Sequence, residues 1–231
     1  MKALILAGGK SSRLRPLTST TPKQLLFVDD KTVIDHVINH LRSNRIHDII
    51  ICTTPALKIQ FSNVLGSSVE YSTTPVDYDT SGRIFGARRF LHSDDFVVYY
   101  GDILASFPLR DMLSFHKKTK ATCTVAVCEK KELAMGFVKS ACKNGLVRMF
   151  VEHPSVEVIS NFAVNVGIAI CKSRILSYCR PYANFFGGTI PFALKSEPIY
   201  SFSIPSFMDI GTFNGLEEAR KAFRQREMGL D

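Results

Sequence analysis

Two stretches that are apolar at every position, residues 3–7 and 96–99, constrain the fold more than any other feature of this chain. A strand with one wet face alternates apolar and polar residues. A strand without polar interruption has both faces covered, which is the environment of a mostly parallel sheet with helices on either side. The surrounding pattern agrees. Strand-like segments at 2–7, 48–53, 69–72, 96–99 and 122–127 alternate with helical stretches near 32–43, 55–65, 81–91 and 109–118, a βαβ series. Beyond about residue 135 come short β-like segments at 136–140, 146–151 and 162–171, a helical stretch near 173–179, and a last helix from about 214 to 226. The expected fold is α/β, a Rossmann-like doubly wound sheet continuing into mixed strands. At 231 residues the chain is long enough for one such domain and short for two, so residues 1–231 are read as a single domain.

In open α/β sheets ligands bind beyond the carboxyl ends of the strands, so the residues after each strand carry the functional argument. Residues 4–18 run from a buried strand into Gly8-Gly9 and then into a basic stretch with Lys10, Arg13 and Arg15. Glycines let backbone N–H groups approach an anion closely, and an arginine adds a two-pronged donor for phosphate oxygens. The segment reads as an anion cradle. It is not a P-loop, which needs a glycine where Leu4 stands, and it lacks the G-x-G-x-x-G fingerprint. Lys23 follows in Thr21-Pro22-Lys23-Gln24, where a cation on a proline-stiffened segment can neutralise charge that builds on a phosphate during transfer. The strand near 96–99 leads into Gly101-Asp102, a carboxylate able to hold Mg²⁺ with water and phosphate oxygens completing its shell. Asp209 ends a second short apolar segment just before a helix, where it suits a metal or a helix cap.

Composition narrows the partners. The net charge is +8, but the longest basic cluster is Lys117-Lys118 with Lys120, without the aromatic interleaving of a nucleic-acid surface, so small phosphorylated substrates suit it better. No apolar run approaches membrane-spanning length and no charged-then-apolar leader precedes the first strand, so a cytoplasmic protein without a membrane partner is expected. The six cysteines contain no C-x-x-C pair and read as reduced core residues. His36 and His40 are one helical turn apart but lack the Glu of H-E-x-x-H, and read as ordinary helix residues.

Together these residues resemble the sugar-1-phosphate nucleotidyltransferases, also called nucleoside-diphosphate-sugar pyrophosphorylases, and among them the short mannose-1-phosphate guanylyltransferase-like proteins. The landmarks are the loop from Leu6 to Thr18, Pro22-Lys23, Asp79-Thr80-Ser81-Gly82, Gly101-Asp102, Met135-Gly136-Phe137-Val138, Asn165-Val166-Gly167-Ile168 and Asp209-Ile210-Gly211-Thr212. The resemblance implies a GT-A-like fold and Mg²⁺-dependent nucleotidyl transfer from an NTP to a sugar 1-phosphate, giving a GDP-, UDP- or dTDP-sugar and pyrophosphate. It implies nucleotide contacts from Leu6, Ala7, Gly8, Gly9, Thr80 and Gly82. Arg13 would lie on the β- and γ-phosphates, Lys23 on the α-phosphate, and Asp102 with Asp209 on the metal. Gly136, Glu152, His153 and Asn165 would face the sugar phosphate. The pattern departs from the family at Ser11-Ser12, where Gly-Thr is usual and serines restrict the loop, and at His153, where lysine is usual. Thr74 stands where the family carries Glu or Gln, which removes the cue to the base. Two other readings stay open: a nucleotide-sugar-binding regulatory subunit without catalysis, and a phosphocholine cytidylyltransferase-like enzyme. A related glycosyltransferase is disfavoured because Gly101-Asp102-Ile103-Leu104 is not Asp-x-Asp. The resemblance leaves room for a homo-oligomer.

Overall fold

The computed structural model describes residues 1–91, 95–129, 137–141, 144–151 and 163–225. Its strands are β1 (Lys2–Leu6), β2 (Phe27–Val28), β3 (Lys31–Thr32), β4 (Asp48–Thr53), β5 (Glu70–Thr73), β6 (Phe96–Tyr100), β7 (Ile103–Ala105), β8 (Cys123–Cys128), β9 (Phe137–Ala141), β10 (Leu146–Val151), β11 (Ala163–Cys171), β12 (Ile199–Ser203) and β13 (Phe207–Asp209). The helices are α1 (Val33–Ser43), α2 (Pro55–Leu65), α3 (Thr80–Gly86), α4 (Leu109–Thr119), α5 (Ile190–Ala193) and α6 (Phe213–Arg224). Among the described residues nine strands form one sheet in the order β5-β4-β1-β6-β11-β8-β12-β10-β9. The half from β5 to β6 is parallel. β11 runs antiparallel to both β6 and β8, and β12 returns parallel to β8, so the sheet is mixed as expected.

The continuous apolar runs have a direct cause in the layers. Along β1, Ala3 and Ile5 pack into the layer that holds Val37 and Leu41 of α1, Phe61 of α2, Met112 of α4 and Leu216 of α6. Leu4 and Leu6 pack the other way, against Ile84 of α3 and the segment containing Ile175, Phe185 and Ile190. Alternate side chains of one strand thus enter two separate cores, each fully buried position contributing about 1.5–3 kcal/mol for a large aliphatic side chain. Helix starts follow local chemistry. Thr32 caps α1 reciprocally with Asp35, and Thr54 caps α2 with Pro55 at its first position.

Some expectations shift. The helical stretch near 173–179 is a 3₁₀ helix, Ser173–Tyr178, and the one near 81–91 leaves α geometry at Gly86 for a 3₁₀ turn, Ala87–Phe90. β7 and β12 had no counterpart in the sequence reading. His36 bonds the Val28 carbonyl and His40 bridges Tyr99 Oη and the Phe107 carbonyl, which makes both structural. The described cysteines are free and buried. No helix among the described residues is long and apolar enough to cross a membrane.

His116, on α4, is fully buried; its Nδ1 meets Thr124 Oγ1 at 2.8 Å, while Nε2 has no hydrogen-bond partner among the described residues and lies 3.9 Å from Asp95 Oδ1. Burial drives its pKa down to about 4 from 6.5, against the pull of Asp95 and with a small push from Lys172 and Lys117. As pH falls through 6.5 the unfolded chain binds this proton and the folded chain does not, so stability is full above that value and drains away toward pH 4. His116→Gln is expected to flatten urea-derived stability between pH 6.5 and 4, by on the order of 1–3 kcal/mol. An equally steep decline in the variant would assign the acid sensitivity to other groups.

Candidate active site

The site is built where β1 and β6 end. Ala7 donates its N–H to the Cys52 carbonyl at 2.9 Å, and its own carbonyl accepts from Thr53 Oγ1 at 2.7 Å. On the other flank, Gly101 N–H bonds the Leu6 carbonyl at 3.1 Å. Leu6 and Ala7 therefore lock the strand end between its neighbours, and Gly8-Gly9 leave the sheet. A Cβ on Gly101 would stand 3.1 Å from both Leu6 O and Ile5 Cγ2 and 3.2 Å from Gln24 Cγ. A side chain here would push its neighbours back by a few tenths of an ångström, so glycine suits the close approach of β6 to β1 that brings Asp102 beside the loop.

The loop keeps its turn despite the serines. Ser11 takes the left-handed conformation, φ 51° and ψ 30°, at a cost on the order of 1 kcal/mol for a residue with a Cβ. Its carbonyl accepts from Thr18 Oγ1 at 2.7 Å and from Leu14 N at 3.2 Å. The turn Ser12–Leu14 then plants Leu14 in the core and leaves Arg13 exposed.

Four charged groups converge here. Lys23 Nζ donates to Asp102 Oδ2 in an ion pair with both side chains largely shielded from solvent. Asp209 arrives from far along the chain because β13 pairs with β7, setting Asp209 opposite Ile103, and Ile210 N–H bonds the Asp102 carbonyl at 3.0 Å. Arg13 reaches the same place: the point where a Gly211 Cβ would stand is 2.9 Å from Asp209 Oδ1 and 3.0 Å from Arg13 Nη2. Asp209 Oδ1 accepts from Gly211 N–H at 2.8 Å. Burial, and then the negative charge of Asp102, raise the Asp209 carboxyl above its ordinary pKa of 3.8, with the Gly211 N–H, Lys23 and Arg13 pulling it back. Two carboxylates that repel one another beside a glycine loop are a donor set that fits Mg²⁺, which takes one or two carboxylates and completes its octahedron with water and phosphate oxygens. No group of three or more His, Cys, Asp or Glu that could hold a metal occurs among the described residues, so softer-metal sites find no ligand set there.

Other expected residues land differently. Thr80 Oγ1 accepts from Phe185 N–H at 2.7 Å. Gly82 is buried, and a Cβ on it would overlap the Pro181 carbonyl. These two residues hold the turn against segment 181–185, and Gly82 is a packing glycine. Asn165, buried in β11 at the sheet edge where Asp102 emerges, folds its Oδ1 onto Gly167 N–H at 3.1 Å, across an irregularity in the β11–β8 register. Gly136, Glu152 and His153 lie outside the described residues. Sequence reasoning passed over Arg83, whose guanidinium is buried directly behind Gly8. The available signal was an arginine enclosed by Gly82 and Ile84-Phe85, a setting too apolar for an ordinary surface cation.

The profile of the nucleotidyl transferase family matches residues 2–226. The chain belongs to this family. It is 32% identical over 224 residues to a mannose-1-phosphate guanyltransferase of Gibberella zeae, covering 91% of this chain and 61% of that protein. A mannose-1-phosphate guanylyltransferase catalytic subunit beta of Dictyostelium discoideum is 32% identical over 221 residues with the same coverage. The chain therefore spans about three fifths of the length of these curated relatives. Among solved structures, a UDP-glucose pyrophosphorylase complexed with UDP-glucose superposes with a TM-score of 0.79 at 23% identity, covering 97% of this chain and 98% of the other. HddC from Yersinia pseudotuberculosis complexed with GMP-PN gives 0.78 at 19%, covering 96% and 99%. These likenesses establish a shared GT-A-like fold.

Proposed function

We propose that this nucleotidyl transferase joins an NTP to a sugar 1-phosphate, releasing pyrophosphate and an NDP-sugar, with GTP and mannose 1-phosphate the first pair to test. The observation that carries this reading is the convergence of Arg13, Lys23, Asp102 and Asp209 at the ends of β1, β6 and β13. No Ser, Cys or His nucleophile is needed for direct displacement at phosphorus, where positioning and charge neutralisation do the work. A sugar phosphate oxygen forms a bond to the α-phosphorus, the bond from that phosphorus to the bridging oxygen breaks, and its electron pair leaves with pyrophosphate. Arg13, exposed on the loop, binds the terminal phosphates. Lys23 exchanges its partner Asp102 for the α-phosphate and offsets the negative charge gathering there. Asp102 and Asp209 are the residues that would hold Mg²⁺, which supplies charge neutralisation at the phosphates when bound. The names of the relatives favour guanosine and mannose.

The test is pyrophosphate release with Mg²⁺ over a grid of GTP, UTP, dTTP, CTP and ATP against mannose, glucose, N-acetylated sugar and heptose 1-phosphates and phosphocholine. Asp102→Asn serves as the control for contaminating activity. Turnover in one sugar cell, absent from the control, supports the reading and names the substrates. Silence throughout, with calorimetric binding of an NDP-sugar, would replace it with a regulatory binding subunit.

A further inference from the structure

Arg83 is 4% exposed, yet among the described residues its hydrogen bonds run to neutral oxygens and it makes no ion pair. Nη2 donates to the Gly8 carbonyl at 3.0 Å and to the Val76 carbonyl at 3.4 Å; Nη1 donates to Thr74 Oγ1 at 2.9 Å and to the Thr53 carbonyl at 3.5 Å. Burying a guanidinium without an ion-pair partner is expensive, and an apolar side chain of similar length would fill the same space more cheaply. The acceptors sit at the carboxyl ends of three adjacent strands: Gly8 beyond β1, Thr53 closing β4, and Thr74 with Val76 beyond β5. One fork therefore ties together the edge of the sheet on which the anion loop stands. The fit is close, since a Cβ on Gly8 would overlap the guanidinium.

The bond to Gly8 has a consequence for the next peptide. In a planar trans peptide the C=O of one residue and the N–H of the next point in opposite directions. With the Gly8 carbonyl held inward on Arg83, the Gly9 N–H faces outward, and Gly9 is exposed with no atom within 4 Å of the place its Cβ would occupy. That leaves an amide donor turned away from Arg83 at an exposed glycine of the anion loop.

We propose that Arg83 is a positioning residue for the nucleotide: by clamping the Gly8 carbonyl it fixes the orientation of the 8–9 peptide and presents the Gly9 N–H to the incoming triphosphate. The buried cation also adds positive potential behind the loop. This inference rests on the nucleotidyl-transfer reading and deepens it at the NTP half of the site. The sugar phosphate half does not depend on Arg83.

The experiment compares Arg83→Met, Arg83→Lys, Gly8→Ala and the Gly8→Ala/Arg83→Met double variant, by calorimetric binding of the NTP the wild type uses and by steady-state kinetics, with thermal unfolding alongside. Arg83→Met is expected to weaken NTP binding and raise the NTP KM by about tenfold, the scale of one lost ligand hydrogen bond. The sugar phosphate KM is expected to stay within about threefold. Arg83→Lys, whose ammonium can still reach one carbonyl, is expected to recover part of the loss. Gly8→Ala, whose Cβ displaces the guanidinium, is expected to reproduce the Met phenotype, and the double variant to lose no more than either single one. If Arg83→Met does not fold, Gly8→Ala and Arg83→Lys carry the same comparison. Unchanged NTP affinity in folded variants, or fully additive losses in the double variant, overturns the proposal while leaving the function standing. Wild-type protein that binds no NTP overturns both.

Discussion

Lys23→Ala is expected to lower kcat by about 10²–10³ while changing the NTP KM far less, the magnitude found for single preorganised groups that meet charge developing in a transition state. The ground for the split is what Lys23 touches. Its ammonium is held on Asp102 Oδ2, so under the proposed role binding the α-phosphate would exchange one anionic partner for another and contribute little net affinity. In the transition state negative charge grows on the non-bridging oxygens of the α-phosphate and the exchange becomes favourable, which is the condition for an effect on kcat rather than KM. Pro22 and the short helix Lys23–Leu25, with Gln24 and Leu25 buried, fix the base of the side chain, so truncation removes the charge without releasing the segment. Steady-state kinetics with each substrate varied separately checks this. A tenfold rise in NTP KM at unchanged kcat would make Lys23 a ground-state binding residue instead.

How much of this was legible in the sequence depended on whether each signal was local. β1 and β6 were visible because burial on both faces leaves a run with no polar interruption. Gly101-Asp102 stood out for the same reason, as a glycine and a carboxylate directly after an apolar strand. Asp209 remained divided between helix cap and metal ligand, because its place beside Asp102 comes from the pairing of β13 with β7 across more than a hundred residues of chain. Thr212, three residues on, is the cap of α6, its side chain accepting from Gly215 N–H, which leaves Asp209 to Asp102. Arg83 was missed because a charged residue near a helix start reads as solvated, and only the third dimension shows three strand ends folded around it. Gly82 carries a packing demand the sequence did not show: a Cβ there would overlap the Pro181 carbonyl, a contact made across about a hundred residues of chain.

Asp209→Asn and Asp102→Asn are expected to lower turnover alike, by about 10³ or more, since either removes a charged oxygen from the pair that would hold Mg²⁺ and such ions contribute several kcal/mol at the transition state. Their effects on the metal-free fold are expected to differ. Asp209 is partly desolvated and faces Asp102, which raises its carboxyl above 3.8. A folded-state value above the unfolded one means that ionisation costs stability, and the penalty accumulates as pH rises from the ordinary value through the raised one and is fully present at neutral pH. An asparagine carries no such penalty, and its side-chain oxygen can still accept from Gly211 N–H, as Asp209 Oδ1 does. Metal-free Asp209→Asn is therefore expected to gain about 1 kcal/mol at pH 7, or about 2–4 °C in Tm for a chain of this size, and to lose that gain as the buffer is taken below pH 3.8. Asp102→Asn relieves the same repulsion but breaks the ion pair with Lys23, so its Tm should rise less or fall. Adding Mg²⁺ with the NTP should reverse the order, stabilising the wild type more than either variant, because only the wild type keeps both carboxylates for the cation. Differential scanning calorimetry in chelator and in Mg²⁺-NTP measures all three proteins. A lower metal-free Tm for Asp209→Asn than for the wild type would show that Asp209 stabilises the fold, and would withdraw it from the cation site in favour of a structural carboxylate on Gly211 and Arg13.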